Sequence, residues 1–129
     1  MTHIPKPGQP VRGSRSGAPI MALFDLLGRR WAMGVLWTLC EKGPSTFRRL
    51  QENCETISPT VLNQRLKELQ TAKLVTRSDA GYVPTAFGEK VYAQLVPLGQ
   101  TARRWSALLE DGETVGPAGG DGDHSVLGV

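Results

Sequence analysis

The sequence predicts a mainly α domain carrying one small β-hairpin. Apolar residues recur at helical spacing in several separate stretches, one short run alternates around turn residues as strands do, and a long apolar seam closes the chain. With 129 residues there is enough chain for one compact domain and too little for two substantial ones. Residues 1–17, rich in proline and glycine and carrying Lys6, Arg12 and Arg15, read as a flexible basic arm, and residues 111–129 as a disordered, acidic, glycine-rich tail. The folded domain is expected over 18–110.

Ile20, Leu23, Phe24 and Leu27 fall on one face of a first helix that Gly28 can end. A second helix, from about Arg30 to Lys42, carries the stripe Ala32, Val35, Leu36 and Leu39, and Gly43-Pro44 stops it. Met33, Trp37 and Cys40 form a second apolar face on that helix, which a partner subunit could cover. Ser45 or Thr46 can cap a short third helix, Phe47 to Asn53, with Arg48 and Arg49 outward. Ser58 as N-cap with Pro59 at the first helical position starts a fourth, running to about Ala72. Leu74-Val75-Thr76, the turn Ser78-Asp79-Ala80-Gly81 and Tyr82-Val83 read as a hairpin. From Thr85 to Glu110 apolar residues step by four and three as in a helix–helix seam, with a kink expected at Pro97.

Composition narrows the function classes. The apolar fraction of 40% is ordinary, and no run approaches the ~20 residues of a membrane span or follows the basic arm as a secretory signal would, so a cytoplasmic protein is expected. Cys40 and Cys54 lack metal-ligand spacing, and the bland reading of each is a small buried hydrophobe. His3 and His124 both lie in the terminal segments, and neither a nucleophile–histidine pair nor a glycine-rich phosphate loop is evident. No enzyme and no cofactor are expected. The net charge of +3 is compatible with phosphate binding without requiring it.

From Arg30 to Tyr82, two short helices precede a small β-ribbon, the order of a helix-turn-helix with a wing. In the fourth helix Leu62, Leu66 and Leu69 share a narrow inward arc, which turns Thr60, Gln64, Lys67 and Thr71 outward with Asn63 at the margin. Asn and Gln can pair with an adenine edge, Lys can meet guanine acceptors or phosphate, and Thr can touch a thymine methyl. Arg48, Arg49, Ser58, Thr60 and Arg77 are candidates for phosphate contacts that position the helix. Against this stands a plain solvated helix face, and a winged-helix protein-interaction module is the alternative class of function. Met33 and Trp37 are candidates to line a pocket for an aromatic or apolar effector, with ordinary seam packing as the other reading.

From Leu26 to Glu110 the chain resembles the HxlR-type (DUF24) family of bacterial winged helix-turn-helix regulators. The resemblance rests on Leu27-Gly28-Arg29-Arg30-Trp31, on Gly43-Pro44 with Phe47-Arg48-Arg49-Leu50, and above all on the run Ile57-Ser58-Pro59-Thr60-Val61-Leu62-Asn63-Gln64-Arg65-Leu66-Lys67-Glu68-Leu69. Leu74-Val75, the Y-x-x-T-x-x-G pattern of Tyr82, Thr85 and Gly88, and Leu95, Pro97, Leu98 and Trp105 extend it. It implies a sequence-specific DNA-binding regulator, a repressor by expectation, acting as a homodimer. Ile20, Leu23, Phe24 and Leu27 of the first helix and Leu95, Leu98, Ala102, Trp105 and Leu109 of the last would hold the dimer together. Its two recognition helices would enter successive major grooves of a roughly palindromic site, with half-sites ~34 Å apart. The resemblance also gives Arg65 a structural or a phosphate-binding role. Where family members that sense oxidants carry a cysteine before the first helix, this chain has Ala18, so any effector would act without that thiol. The wing is short and has Pro84 where leucine is common, which sets minor-groove contacts in doubt.

Overall fold

A computed structural model describes residues 2–54 and 56–119. Its elements run α1 (Pro19–Leu27), α2 (Ala32–Lys42), α3 (Phe47–Asn53), α4 (Pro59–Thr71), β1 (Val75–Ser78), β2 (Gly81–Pro84) and α5 (Ala86–Asp111). Helix α2 is the central post, and its stripe Ala32, Val35, Leu36 and Leu39 is buried as the spacing predicts. Around it pack α1, α3, α4, β2 and α5. Leu50 of α3 and Leu62, Leu66 and Leu69 of α4 complete the core with Leu74, Val75 and Tyr82 of the hairpin. The second face of α2 is partly covered from within the chain: the Trp37 ring meets Tyr92 of α5 edge-on, centroids 5.0 Å apart.

Local chemistry sets the ends of these elements. Thr46, rather than Ser45, caps α3 by accepting from the Arg49 N–H, and Ser58 caps α4 by accepting from the Val61 N–H. Ser45 is instead buried, exchanging backbone hydrogen bonds of 3.0 and 2.8 Å with Tyr82, so the wing is tied to the segment before α3. The antiparallel hairpin pairs Val75 with Pro84 and Ser78 with Gly81. Gly81, at φ +120°, lies so near the Ser45 carbonyl that a Cβ would come within 2.5 Å of its oxygen.

Thr85, Gly88 and Leu74 lock α5 to the end of α4. The Thr85 hydroxyl donates to the Lys73 carbonyl at 2.7 Å and accepts from the Gly88 N–H at 3.0 Å. The Gly88 Cα packs directly on the Leu74 carbonyl. Helix α5 then passes through Pro97 as one element, and beyond Gln100 only Leu108 is partly shielded. Gly112 closes it in a left-handed conformation, φ +64°. Residues 113–119 have no regular structure and are exposed, while 120–129, with Asp121, Asp123 and His124 of the expected tail, lie outside the described residues.

The N-terminal segment differs from the flexible arm that its composition predicts. Ile4 joins the core, the Gly8 N–H donates to the Gly17 carbonyl, and Val11 and Ser14 exchange two backbone hydrogen bonds. Gly8, Gly13 and Gly17 all have positive φ, so glycine turns fold the segment back on itself, and the Arg12 N–H ties it to Asp25 of α1. The Ser14 hydroxyl then accepts from the Ala18 N–H, leading the chain into α1.

Both cysteines are free thiols. Burial, with the Glu89 carboxylate second, pushes the Cys40 thiol up to about 11. Burial also raises Cys54, opposed by a hydrogen bond from Thr38. Half-maximal alkylation of Cys40 by iodoacetamide is therefore expected near pH 11, instead of the ~8.5 of a free thiol; rapid labelling at neutral pH would contradict this. Two glycines should respond oppositely to alanine. Gly88→Ala drives a methyl into the Leu74 carbonyl and should cost about 1–3 kcal/mol. Gly34→Ala, in open space on α2, should gain roughly 0.5–1 kcal/mol. Urea midpoints moving in opposite directions at constant m would bear out both.

Candidate nucleic-acid interface

Helix α4 is oriented by its own apolar arc. Leu62, Leu66 and Leu69 are 0%, 1% and 0% exposed, and α2 lies behind them. Thr60, Asn63, Gln64, Lys67 and Thr71 are exposed, which is the outward strip expected from the spacing. The Thr71 hydroxyl is turned back to the Lys67 carbonyl at 2.8 Å. Ser58 and Pro59 hold the start of the helix in the open, both exposed.

The flanking cations are also on the surface. Arg48 and Arg49 project from α3, and Arg48 Nε lies 3.5 Å from Glu52, itself exposed, a pair that holds it only weakly. Arg77 of β1 is exposed with its guanidinium 4.9 Å above the Tyr82 ring, so the wing carries a charge steadied by an aromatic face.

Arg65 is not part of that surface. Its Nε donates to the Arg30 carbonyl at 2.7 Å and its Nη1 to Glu68 Oε1 at 2.9 Å. Glu68, 3% exposed, was not singled out by sequence reasoning. Its Oε2 also accepts from Arg29 Nη1 at 2.7 Å and from Gln64 Nε2 at 3.1 Å. Arg29 Nη1 reaches on to the His3 carbonyl at 3.2 Å. One buried carboxylate thus joins α4, the α1–α2 connection and the N-terminal segment. The spacing of Gln64, Arg65 and Glu68 at i, i+1 and i+4 was the only local signal for it.

The effector candidates part company. Trp37 is accounted for by Tyr92 and by its Nε1 donating to Glu41 at 3.2 Å, whereas Met33 is 44% exposed. The residues assigned to dimerisation fall in two sets. Ile20, Leu23, Phe24 and Leu27 are brought against Phe87, Val91 and Leu95, lining an apolar groove of about 340 Å³. Leu98, Ala102, Trp105 and Leu109 are exposed further along α5. Among the described residues no group of three or more metal-ligating side chains comes together, and no helix is long and apolar enough to cross a membrane.

Comparison with known proteins matches this arrangement. The family described as HxlR-like helix-turn-helix matches residues 26–110. The chain is 33% identical over 66 residues to the HTH-type transcriptional regulator BH0655 of Halalkalibacterium halodurans, covering 51% of this chain and 58% of that one. It is 39% identical over 54 residues to YodB of Bacillus subtilis, covering 42% and 47% respectively. The chain therefore spans about half the length of these curated relatives. The crystal structure of quinone-bound YodB superposes with a TM-score of 0.57 at 31% identity, covering 69% of this chain and 96% of that one. An HxlR family transcriptional factor structure from Thermoplasma volcanium gives 0.59 at 26% identity, covering 69% and 85%. On the extent of the family match and the shared helix order and hairpin, the chain belongs to the HxlR-like helix-turn-helix family.

Proposed function

We propose that this chain is a sequence-specific transcriptional regulator that binds duplex DNA with α4 in the major groove. The observation that carries the reading is the strip Thr60, Asn63, Gln64 and Lys67, exposed on a helix whose one carboxylate is turned inward. Asn63 and Lys67 read base edges, while Arg48, Arg49, Ser58 and Arg77 position the helix on phosphates. Gln64 is less free than spacing alone suggests, because its amide already donates to Glu68. The names of the relatives, HTH-type transcriptional regulators, support the same class.

The reading extends to a homodimer on a roughly palindromic operator. Leu98, Trp105 and Leu109 are 58–63% exposed along one helix, an apolar seam that a second copy of α5 would cover, continuing from the groove beneath α1. Repression by occupying the operator is the simplest consequence. The quinone-bound YodB structure supports a small aromatic effector, which here would be held without a bond to the Ala18 position.

Selection of bound fragments from random duplexes tests the proposal. On the selected site Asn63→Ala should lose about 1–3 kcal/mol and relax preference at one base position. Arg48→Ala should weaken selected and random duplexes alike and lower the salt slope by about one. No enrichment, with no binding at low ionic strength, would sink the reading and favour the protein-interaction alternative. In sedimentation velocity, Trp105→Ala with Leu109→Ala should shift dimer to monomer; a variant that stays dimeric would remove α5 from the interface.

A further inference from the structure

A cavity of about 640 Å³ opens between the N-terminal segment, the end of α1 and the flank of α4. Four arginines line it, Arg12, Arg29, Arg30 and Arg65, together with Met21 and Phe24. They reach it from three parts of the chain. Arg12 is delivered by the folded N-terminal segment, whose Gly13 sits on the Met21 side chain and whose Arg12 N–H donates to Asp25 Oδ2 at 3.1 Å. Arg29 and Arg30 come from the α1–α2 connection, and Arg65 from α4.

The charges of this cleft do not balance. Asp25 is the one carboxylate in its wall, and Glu68 stands behind Arg29 and Arg65. Among the described residues the guanidinium groups of Arg12 and Arg30 have no ion pair, and Arg30 instead lies 5.7 Å over the Trp31 ring. A guanidinium fork matches a carboxylate through two parallel hydrogen bonds, and a low-dielectric wall strengthens the pairing. Phe24, 51% exposed, and Met21 supply an apolar wall that an inorganic anion would leave unused. The volume falls within the range of small-molecule sites.

We propose that this cleft binds a small organic anion, an aromatic or other apolar-bodied carboxylate, as the effector of the DNA-binding activity. The proposal rests on the regulatory reading above and places the effector away from Met33 and Trp37. The carboxylate sits between Arg12 and Arg30, and the ring lies against Phe24 and Met21. Arg29 and Arg65, which hold Glu68, line the same cleft, so an anion seated between Arg12 and Arg30 adds negative charge beside the ion pairs that orient α4. Ligand and operator then oppose one another, each lowering the affinity of the other by the same factor.

The test titrates the full chain, without DNA, with benzoate and 2-naphthoate, following tryptophan fluorescence and heat. Benzamide, isosteric and neutral, and inorganic phosphate are the comparators. Both carboxylates should bind, with benzamide and phosphate weaker by about tenfold or more, the scale of one lost charge-assisted hydrogen bond. Arg12→Ala and Arg30→Ala should each weaken benzoate by a similar factor at an unchanged urea midpoint. No binding of either carboxylate at millimolar concentration, equal binding of benzamide or phosphate, or unaltered binding by both arginine variants would overturn the proposal. So would displacement of benzoate by random duplex with Arg30→Ala weakening the two equally, which would make the cleft a seat for backbone phosphate. Since the titration contains no DNA, its failure leaves the regulatory reading standing, and absent DNA binding would leave the titration readable.

Discussion

The carboxylate of Glu68 is the constraint on which the arrangement of α4 turns. An ionised group with 3% exposure is tolerated only where donors replace water, and Glu68 has them from Arg29, Arg65 and Gln64. The three leucines of α4 hold the helix to α2 but leave some freedom of rotation, because apolar contact has no direction. Charge-assisted hydrogen bonds do have direction. Together they fix which residues face out, and the outward strip is free of acid because the helix's one carboxylate is held at its flank.

The same network explains the conformation of the α1–α2 connection. Trp31, between α1 and α2, takes a left-handed backbone at φ 75°, costly for a bulky residue. The Arg30 carbonyl beside it is met by Arg65 Nε, and the Trp31 side chain packs against the core. Strain at one residue is held by contacts from a helix more than thirty positions away.

Much of this was legible in the sequence and some was not, for a consistent reason. Helical spacing located α2 and α4, Gly43-Pro44 and Ser58-Pro59 marked their limits, and the leucine arc of α4 turned Thr60, Gln64, Lys67 and Thr71 outward with Asn63 at the margin. These are local signals, complete within one or two turns of chain. Arg65 could not be resolved the same way, since a helical wheel places it beside the core arc without saying that the Arg30 carbonyl waits there. Glu68 stood in the sequence only as one residue of the matching run, and its partner Arg29 lies 39 positions away, beyond any local signal. The N-terminal segment misled for another reason. Composition counts apolar side chains, whereas this segment is ordered mainly by backbone hydrogen bonds between glycine turns, with Ile4 as its apolar anchor. Thr85 and Gly88 stood out through resemblance alone, and their physical meaning needed the Lys73 and Leu74 carbonyls against which they sit.

Helix α1 borders both the arginine cleft and the apolar groove. Phe24 lines both the arginine cleft on one side and the apolar groove against α5 on the other, so α1 cannot rotate without altering both. Its hold on the core is also lighter than that of α2. It buries Ala22, Leu26 and Leu27, whereas α2 buries four residues and is packed on by five other elements. A displacement of given size therefore costs less apolar contact at α1 than at α2. Asp25 restrains it through the Arg12 N–H, and Arg29, two residues past its end, connects it to Glu68 and so to α4. A charge arriving in the cleft meets a lightly held helix beside the ion pairs of Arg29 and Arg65 with Glu68, which set the orientation of α4.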